Sequence, residues 1–129
     1  MARVLLVDDD ADQLEIRRLL AEQAGHQVSA AGDAGMARAR FSELHPEVVV
    51  LDVRIPKCDV GTPKREEGLA LIREFYAADP APRVLVLSGW PGDIAGRPEA
   101  ALVEEVLIKP VRSQRLLELL ERPARRPSC

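Results

Sequence analysis

The sequence predicts an α/β fold: a doubly wound parallel sheet of five strands with helices on both faces, in a single domain. Three observations predict it. Short apolar runs rich in β-branched residues recur at 3–7, 27–31, 47–51, 83–87 and 105–108, and runs of this length bounded by turn residues read as buried strands. Segments with helical periodicity fill the gaps, and strict alternation of strand and helix demands parallel strands joined by right-handed crossovers. The strands are continuously apolar rather than alternating, which suits a sheet covered on both faces.

The first strand, "RVLLV" (3–7), runs into Asp8, Asp9 and Asp10. Asp10 suits the N-cap of the next helix, because a short carboxylate accepts from free N–H groups of a first turn. That helix is predicted over 11–24, with Ile16, Leu19, Leu20 and Ala24 on one face and Gly25 as the stop. After the second strand, "QVSAA" (27–31), Asp33 is the predicted N-cap of a helix over 34–44 that spaces Met36, Ala37, Arg40 and Leu44 along one side. The third strand is "EVVVL" (47–51). A helix over 67–78 aligns Leu69, Ile72 and Tyr76 and ends at Pro80 and Pro82. The fourth strand is "RVLVL" (83–87).

The stretch beyond it holds Pro91, Gly92, Gly96 and Pro98. Proline and glycine inside a helix cost roughly 3 and 1 kcal/mol relative to alanine. Only a short or distorted helix is predicted there, over 98–104. The fifth strand is "EVLI" (105–108), and the last helix (113–121) carries Leu116, Leu119 and Leu120 behind Ser113 as N-cap. The domain covers 1–121, and 122–129 is a basic, proline-rich tail.

Composition agrees with a globular protein. Of 129 residues, 47% are hydrophobic and 30% charged, while 3% are aromatic, so aliphatic residues must fill the core. The net charge of -3 argues against direct nucleic-acid binding. Cys58 and Cys129 lie far apart, with no disulfide framework or metal-ligand spacing, so a reducing, cytoplasmic home is expected. The opening "MARVLLVDDD" turns acidic too soon for a signal peptide, and no apolar run approaches the ~18 residues of a membrane span.

Polar residues gather at the C-terminal ends of the strands. Asp8, Asp9 and Asp10 follow the first, Asp52 the third, Ser88 the fourth, and Lys109 and Pro110 the fifth. In an open parallel sheet, sites form outside these ends, where the strand order reverses. Clustered carboxylates repel one another, and oxygen-only ligands suit Mg²⁺. Lys109 can pair with phosphate, and Ser88 adds a hydroxyl donor. Phosphoryl transfer needs mainly positioning and charge neutralisation, and an aspartate can be the nucleophile. Asp52, a carboxylate at the end of a buried strand, is the candidate acceptor.

Together "VLLVDDD" (4–10), "PEVVVLDVRIP" (46–56), "VLVLSG" (84–89) and "VLIKP" (106–110) resemble the receiver domain of two-component response regulators, in the right order over 1–121. The resemblance implies a flavodoxin-like (βα)5 fold with strand order 2-1-3-4-5. It implies that Asp8 and Asp9 hold Mg²⁺, with Asp9 the direct ligand. Asp52 matches the phosphoacceptor and the backbone carbonyl of Arg54 a further metal ligand. Ser88 matches the switch hydroxyl, Lys109 the phosphate-pairing lysine, and Pro110 a proline preceded by a cis peptide. The implied partners are a histidine kinase or phosphotransfer protein as donor and an output protein. Neither nucleic acid nor membrane is contacted directly.

Three departures stand out. Val106 occupies the place of the family's aromatic switch residue. Gly68, the counterpart of a glycine usually about eight residues after the acceptor, follows Asp52 by sixteen, so 57–67 reads as an insertion beside the site. The proline- and glycine-bearing stretch 91–98 replaces a regular fourth helix. Arg54 and Trp90 stand where the family's flanking side chains border the path of attacking water, and both are large enough to cover the pocket. The alternative function is a degenerate receiver acting as a phosphorylation-independent interaction module. A haloacid-dehalogenase-like phosphatase fits the Asp8–Asp10 run, but it lacks an acidic pair after Lys109 and leaves Asp52 without a role.

Overall fold

The five apolar runs form strands β1 (Arg3–Val7), β2 (Gln27–Ala31), β3 (Val48–Asp52), β4 (Arg83–Ser88) and β5 (Glu105–Ile108). Between and after them lie helices α1 (Ala11–Gln23), α2 (Ala34–Leu44), α3 (Arg65–Tyr76) and α4 (Ser113–Glu121). The computed structural model describes residues 2–122. The tail predicted at 122–129 therefore lies, apart from Arg122, outside the described residues. All strand pairs are parallel, in the order β2-β1-β3-β4-β5, which is the predicted order. The chain reverses direction across the sheet between β1 and β3, and this is the point at which such sheets open a crevice.

Because side chains alternate along a strand, each strand feeds two cores. Leu5, Val7, Val49, Leu51, Val84 and Val86 face α2 and α3. Val4, Leu6, Val48, Val50, Leu85 and Leu87 face α1 and α4. The first core also takes Ile94, from the irregular stretch after β4, and receives Val106 at its margin. Each fully buried Val or Leu side chain stabilises by about 1.5–3 kcal/mol, so two continuous layers explain why all five β3 residues are buried.

Several local expectations are corrected. The inward stripe of α1 holds Leu14, Arg17 and Ala21, while Ile16 and Leu19 remain 49% and 46% exposed and Ala24 is also exposed. The helix is rotated to bring Arg17 to Asp8, and small Ala21 lets it approach the sheet. In α2 the buried residues are Ala34 and Ala37, with Met36 exposed. In α3, Phe75 rather than Tyr76 faces inward and stacks on Phe41, ring centroids 4.2 Å apart. Ser113 is the first residue of α4 rather than its cap; the N-cap is Arg112, with no side-chain cap bond. Asp33 caps α2 as predicted, accepting from the Met36 N–H at 2.7 Å.

The stretch after β4 forms two 3₁₀ turns, Pro91–Asp93 and Pro98–Leu102, in place of an α-helix. Helix α3 already begins at Arg65, so the loop between β3 and α3 runs over 53–64 and the predicted insertion 57–67 ends inside the helix. The loop carbonyls at Pro56 and Lys57 accept from the Ala34 and Gly35 N–H groups at 2.9 and 3.1 Å, and Lys64 bridges back to Ile55. The loop therefore satisfies the first turn of α2, whose N–H groups have no partner within the helix.

Gly68 is required by close approach. A Cβ built there would lie 2.1 Å from the Val53 carbonyl oxygen, so α3 rests directly on the backbone that leaves β3.

Candidate functional site

Strand periodicity decides which polar groups meet. Even-numbered residues of β1 and β3 and odd-numbered residues of β4 and β5 face α1 and α4. Asp8, Asp52 and Lys109 continue those rows, so they emerge on one face. The pairing of Val7 with Leu51 puts Asp8 and Asp52 side by side. Ser88 continues the other row, with Val84 and Val86.

The resulting contacts are ionic. Lys109 Nζ lies 2.7 Å from Asp52 Oδ2 and 3.1 Å from Asp8 Oδ2. Asp52 Oδ1 accepts from the Arg54 backbone N–H at 3.2 Å. Asp8 Oδ1 accepts from the Asp10 N–H at 3.0 Å, and Asp8 Oδ2 also accepts from Arg17 Nη1 at 2.7 Å. Asp10 caps α1 through the Gln13 N–H. The peptide between Lys109 and Pro110 is cis, as the resemblance implies.

These surroundings shift the three carboxyls in different directions. Burial pushes Asp8 upward, but the Asp10 N–H, Arg17 and Lys109 outweigh it and hold its pKa below the usual value. For Asp52 burial wins over the attraction of Lys109, helped by repulsion from Asp8, and its pKa is raised. Asp9 is raised by partial burial and by Asp8. Burial opposes the charge of Lys109, yet Asp52 and Asp8 more than compensate and its pKa is raised. Asp52 is thus the costlier charge to keep, and Asp8 is the one fully compensated.

One oxygen from each of Asp8, Asp9 and Asp52 lies within 4.8 Å of the other two. An octahedral Mg²⁺ with ligands at about 2.1 Å spans about 4.2 Å between opposite oxygens. The three carboxylates are grouped closely enough to converge on one such ion, although cis ligands of an octahedron stand closer still, at about 3 Å, and their chemistry is the all-oxygen kind that Mg²⁺ prefers.

Ser88 stands apart from this group. Its Oγ donates to the Trp90 carbonyl at 2.8 Å and accepts from the Trp90 N–H at 3.1 Å. Arg54 also turns away from Asp52. Its Nε and Nη2 donate to the two oxygens of buried Asp93 at 2.6 and 3.1 Å, and its guanidinium lies 4.8 Å from the centre of the Trp90 ring. Arg54 and Trp90 therefore cover the rim as a stacked pair fixed by Asp93.

Two residues of this arrangement escaped the sequence reading. Asp93 carried no signal, because nothing local marks it as the partner of a residue 39 positions away. Arg17 did carry one, since a charged residue occupies the helix position between Leu14 and Ala21 that faces the sheet.

Residues 4–121 match the response regulator receiver domain family. The chain is 30% identical over 131 residues to the virulence transcriptional regulatory protein PhoP of Salmonella typhimurium, covering 99% of this chain and 54% of that protein. It thus spans about half the length of these relatives. It is 26% identical over 128 residues to the chemotaxis protein CheY of Listeria monocytogenes, covering 97% of this chain and 100% of that one. A solved response regulator receiver domain protein from Clostridium thermocellum matches with a TM-score of 0.75 at 26% identity, over 92% of this chain and 90% of the other. Among the described residues no helix is long and apolar enough to cross a membrane.

Proposed function

The chain belongs to the response regulator receiver domain family, and from that premise we propose that it accepts a phosphoryl group on Asp52 from a histidine kinase or phosphotransfer protein. The observation that carries this reading is the contact of Lys109 with both Asp52 and Asp8 at the switch point of the sheet. In the step proposed, an Asp52 carboxylate oxygen attacks phosphorus and the P–N bond of a donor phosphohistidine breaks. The imidazole nitrogen keeps the electron pair and takes a proton from solvent. The product is an acyl phosphate, later returned to a carboxylate and inorganic phosphate by water.

Lys109 then moves its charge from the carboxylate to the phosphoryl oxygens, offsetting part of the ~1.5–2 negative charges that the phosphorylated side chain carries. Asp8, Asp9 and Asp52, with the Arg54 carbonyl, would hold Mg²⁺, which supplies the remaining neutralisation. Backbone N–H contact from Arg54 orients Asp52 for attack. Ser88 reaches the phosphoryl group only by giving up both bonds to Trp90. Phosphorylation therefore loosens the turn at Pro91–Asp93 and changes the surface offered to an output partner. The domain so acting spans 1–121, and a cytoplasmic location accords with such partners.

Intact-mass analysis after acetyl phosphate and MgCl₂ tests the reading. One phosphoryl adduct is expected on the wild type and none on Asp52→Asn, with labelling lost when Mg²⁺ is chelated. An adduct that survives in Asp52→Asn overturns the assignment. A second reading, a phosphorylation-independent interaction module, draws on the Ser88 hydroxyl being committed to Trp90 and on Val106 in place of a ring. It predicts no adduct on either protein.

A further inference from the structure

Arg17 is an arginine with an unusual position, its side chain mostly withdrawn from solvent. Its side chain is 11% exposed, and its stem lies in the seam between α1 and α4, among Leu6, Leu20, Ala21, Leu116 and Leu120. A guanidinium does not lose its proton in a protein, and a charge taken this far from water must be paired. The pairing is with Asp8 Oδ2 at 2.7 Å, the oxygen that Lys109 also contacts at 3.1 Å. The other oxygen of Asp8 is occupied by the Asp10 N–H.

The three carboxylates that would hold a cation therefore face two fixed cations rather than Lys109 alone. Both crowd the same carboxylate. A divalent ion at Asp8 Oδ2 must displace Arg17 or share that oxygen with it at close range, and an ion at Oδ1 still binds the carboxylate whose charge Arg17 draws on. At the effective dielectric of a protein surface, a unit charge a few ångströms from the ion changes affinity by an order of magnitude or more. The seam around the stem holds a small apolar cavity, so withdrawing the guanidinium from Asp8 would place its charge among aliphatic side chains.

We propose that Arg17 is a built-in counter-cation of the metal site, a positioning residue that holds Asp8 in place without metal and weakens Mg²⁺ binding by competing for its carboxylate. The inference rests on the Mg²⁺-dependent receiver reading and adds a determinant of metal affinity to it. Apo protein keeps an ordered pocket in which two cations offset much of the charge of three carboxylates, and the price is a higher Mg²⁺ concentration for half-saturation.

Isothermal titration of the apo protein with MgCl₂ alone tests this, on the wild type, Arg17→Met and Arg17→Lys. Methionine keeps the length and apolar character of the stem while removing the charge. Arg17→Met is expected to bind Mg²⁺ about tenfold more tightly, and Arg17→Lys to bind like the wild type. An unchanged or weaker affinity in folded Arg17→Met overturns the proposal while leaving the receiver reading intact. Absence of binding to every protein overturns both. A second arm uses the wild type alone: the Arg17 guanidinium resonances, followed by NMR, should shift as MgCl₂ is added. If they stay fixed while backbone signals of Asp8 and Asp9 move, Arg17 does not compete for the site.

Discussion

The floor of the pocket and its rim are built by different means. The floor is Asp8, Asp52 and Lys109, each at the end of a strand whose neighbours fix its register. Its positions follow from the two-residue period of a strand and from the pairing of β1 with β3. The rim runs from Ser88 to Glu104, through two 3₁₀ turns with Gly96 between them. Ion pairs reaching across from other elements hold it: Arg54 to Asp93, and Arg73 to buried Glu99 at 2.5 Å. The floor is rigid because moving one residue disturbs a ladder of backbone bonds. The rim can change because it hangs on a few side-chain contacts, and segments of this kind are drawn on for switching.

The largest expected effect breaks the floor from beneath. In Gly68→Ala the new methyl meets the Val53 backbone, one residue beyond Asp52. Neither backbone can yield without shifting α3 against β3. Overpacking of this severity is expected to cost at least about 3 kcal/mol, read as the shift in a urea unfolding midpoint. A cost below about 1 kcal/mol would show that the β3–α3 junction is as yielding as the rim.

A smaller effect sharpens the comparison within the floor. Asp8 is depressed in the folded state, so its contribution to stability is present above its unfolded pKa and is lost as pH falls through the lower folded value. Asp52 is raised, so its ionisation is a penalty that disappears as pH falls through the folded value toward the ordinary carboxylate value. Asp8→Asn is therefore expected to destabilise at pH 7 by about 3 kcal/mol, the order found when a buried pair loses one partner. Asp52→Asn should be neutral or stabilising by about 1 kcal/mol. Urea titrations at pH 7 and pH 4 check both signs, and the gain from Asp52→Asn should shrink at the lower pH. Destabilisation by Asp52→Asn at pH 7 would mean that Lys109 compensates that carboxylate fully.

The same contrast explains what was legible in the sequence. Strand ends and the members of the floor follow from apolar runs and from single polar residues placed after them, since those patterns act over a few positions, whereas the strand order comes from the resemblance to receiver domains. The faces of α1 and α3 were misread at Ile16, Leu19 and Tyr76. On those helices more than one apolar stripe is available, and the winner is set by partners far away, by Asp8 for Arg17 and by Phe41 for Phe75. The 57–67 segment is visible in the sequence only through its spacing, and no local pattern announces that its Lys57 carbonyl accepts from a free N–H of α2. Asp93 lay beyond reach, because an ion pair over 39 positions leaves no local pattern.

The smallest expected effects test whether the rim moves independently. Asp93 is buried and its carboxylate oxygens are taken by Arg54, whose own side chain is largely open to solvent. Removing Arg54 leaves a buried carboxylate without that partner, whereas removing Asp93 leaves an arginine that water can solvate. Arg54→Ala should therefore speed amide exchange across 88–104 more than Asp93→Ala does, and neither should alter β1 or β3. Trp90→Ala removes the ring under the guanidinium and should fall between them. If this stacked pair also shields phospho-Asp52 from water, dephosphorylation should accelerate in Arg54→Ala and in Trp90→Ala, by less than tenfold each. The double mutant should fall short of the product of the two, because both substitutions remove the same contact. Unchanged lifetimes with altered exchange would separate the two roles: Arg54 and Trp90 would hold the rim without guarding the phosphoryl group. Equal loss of protection in β1 and β3 would instead erase the distinction between floor and rim.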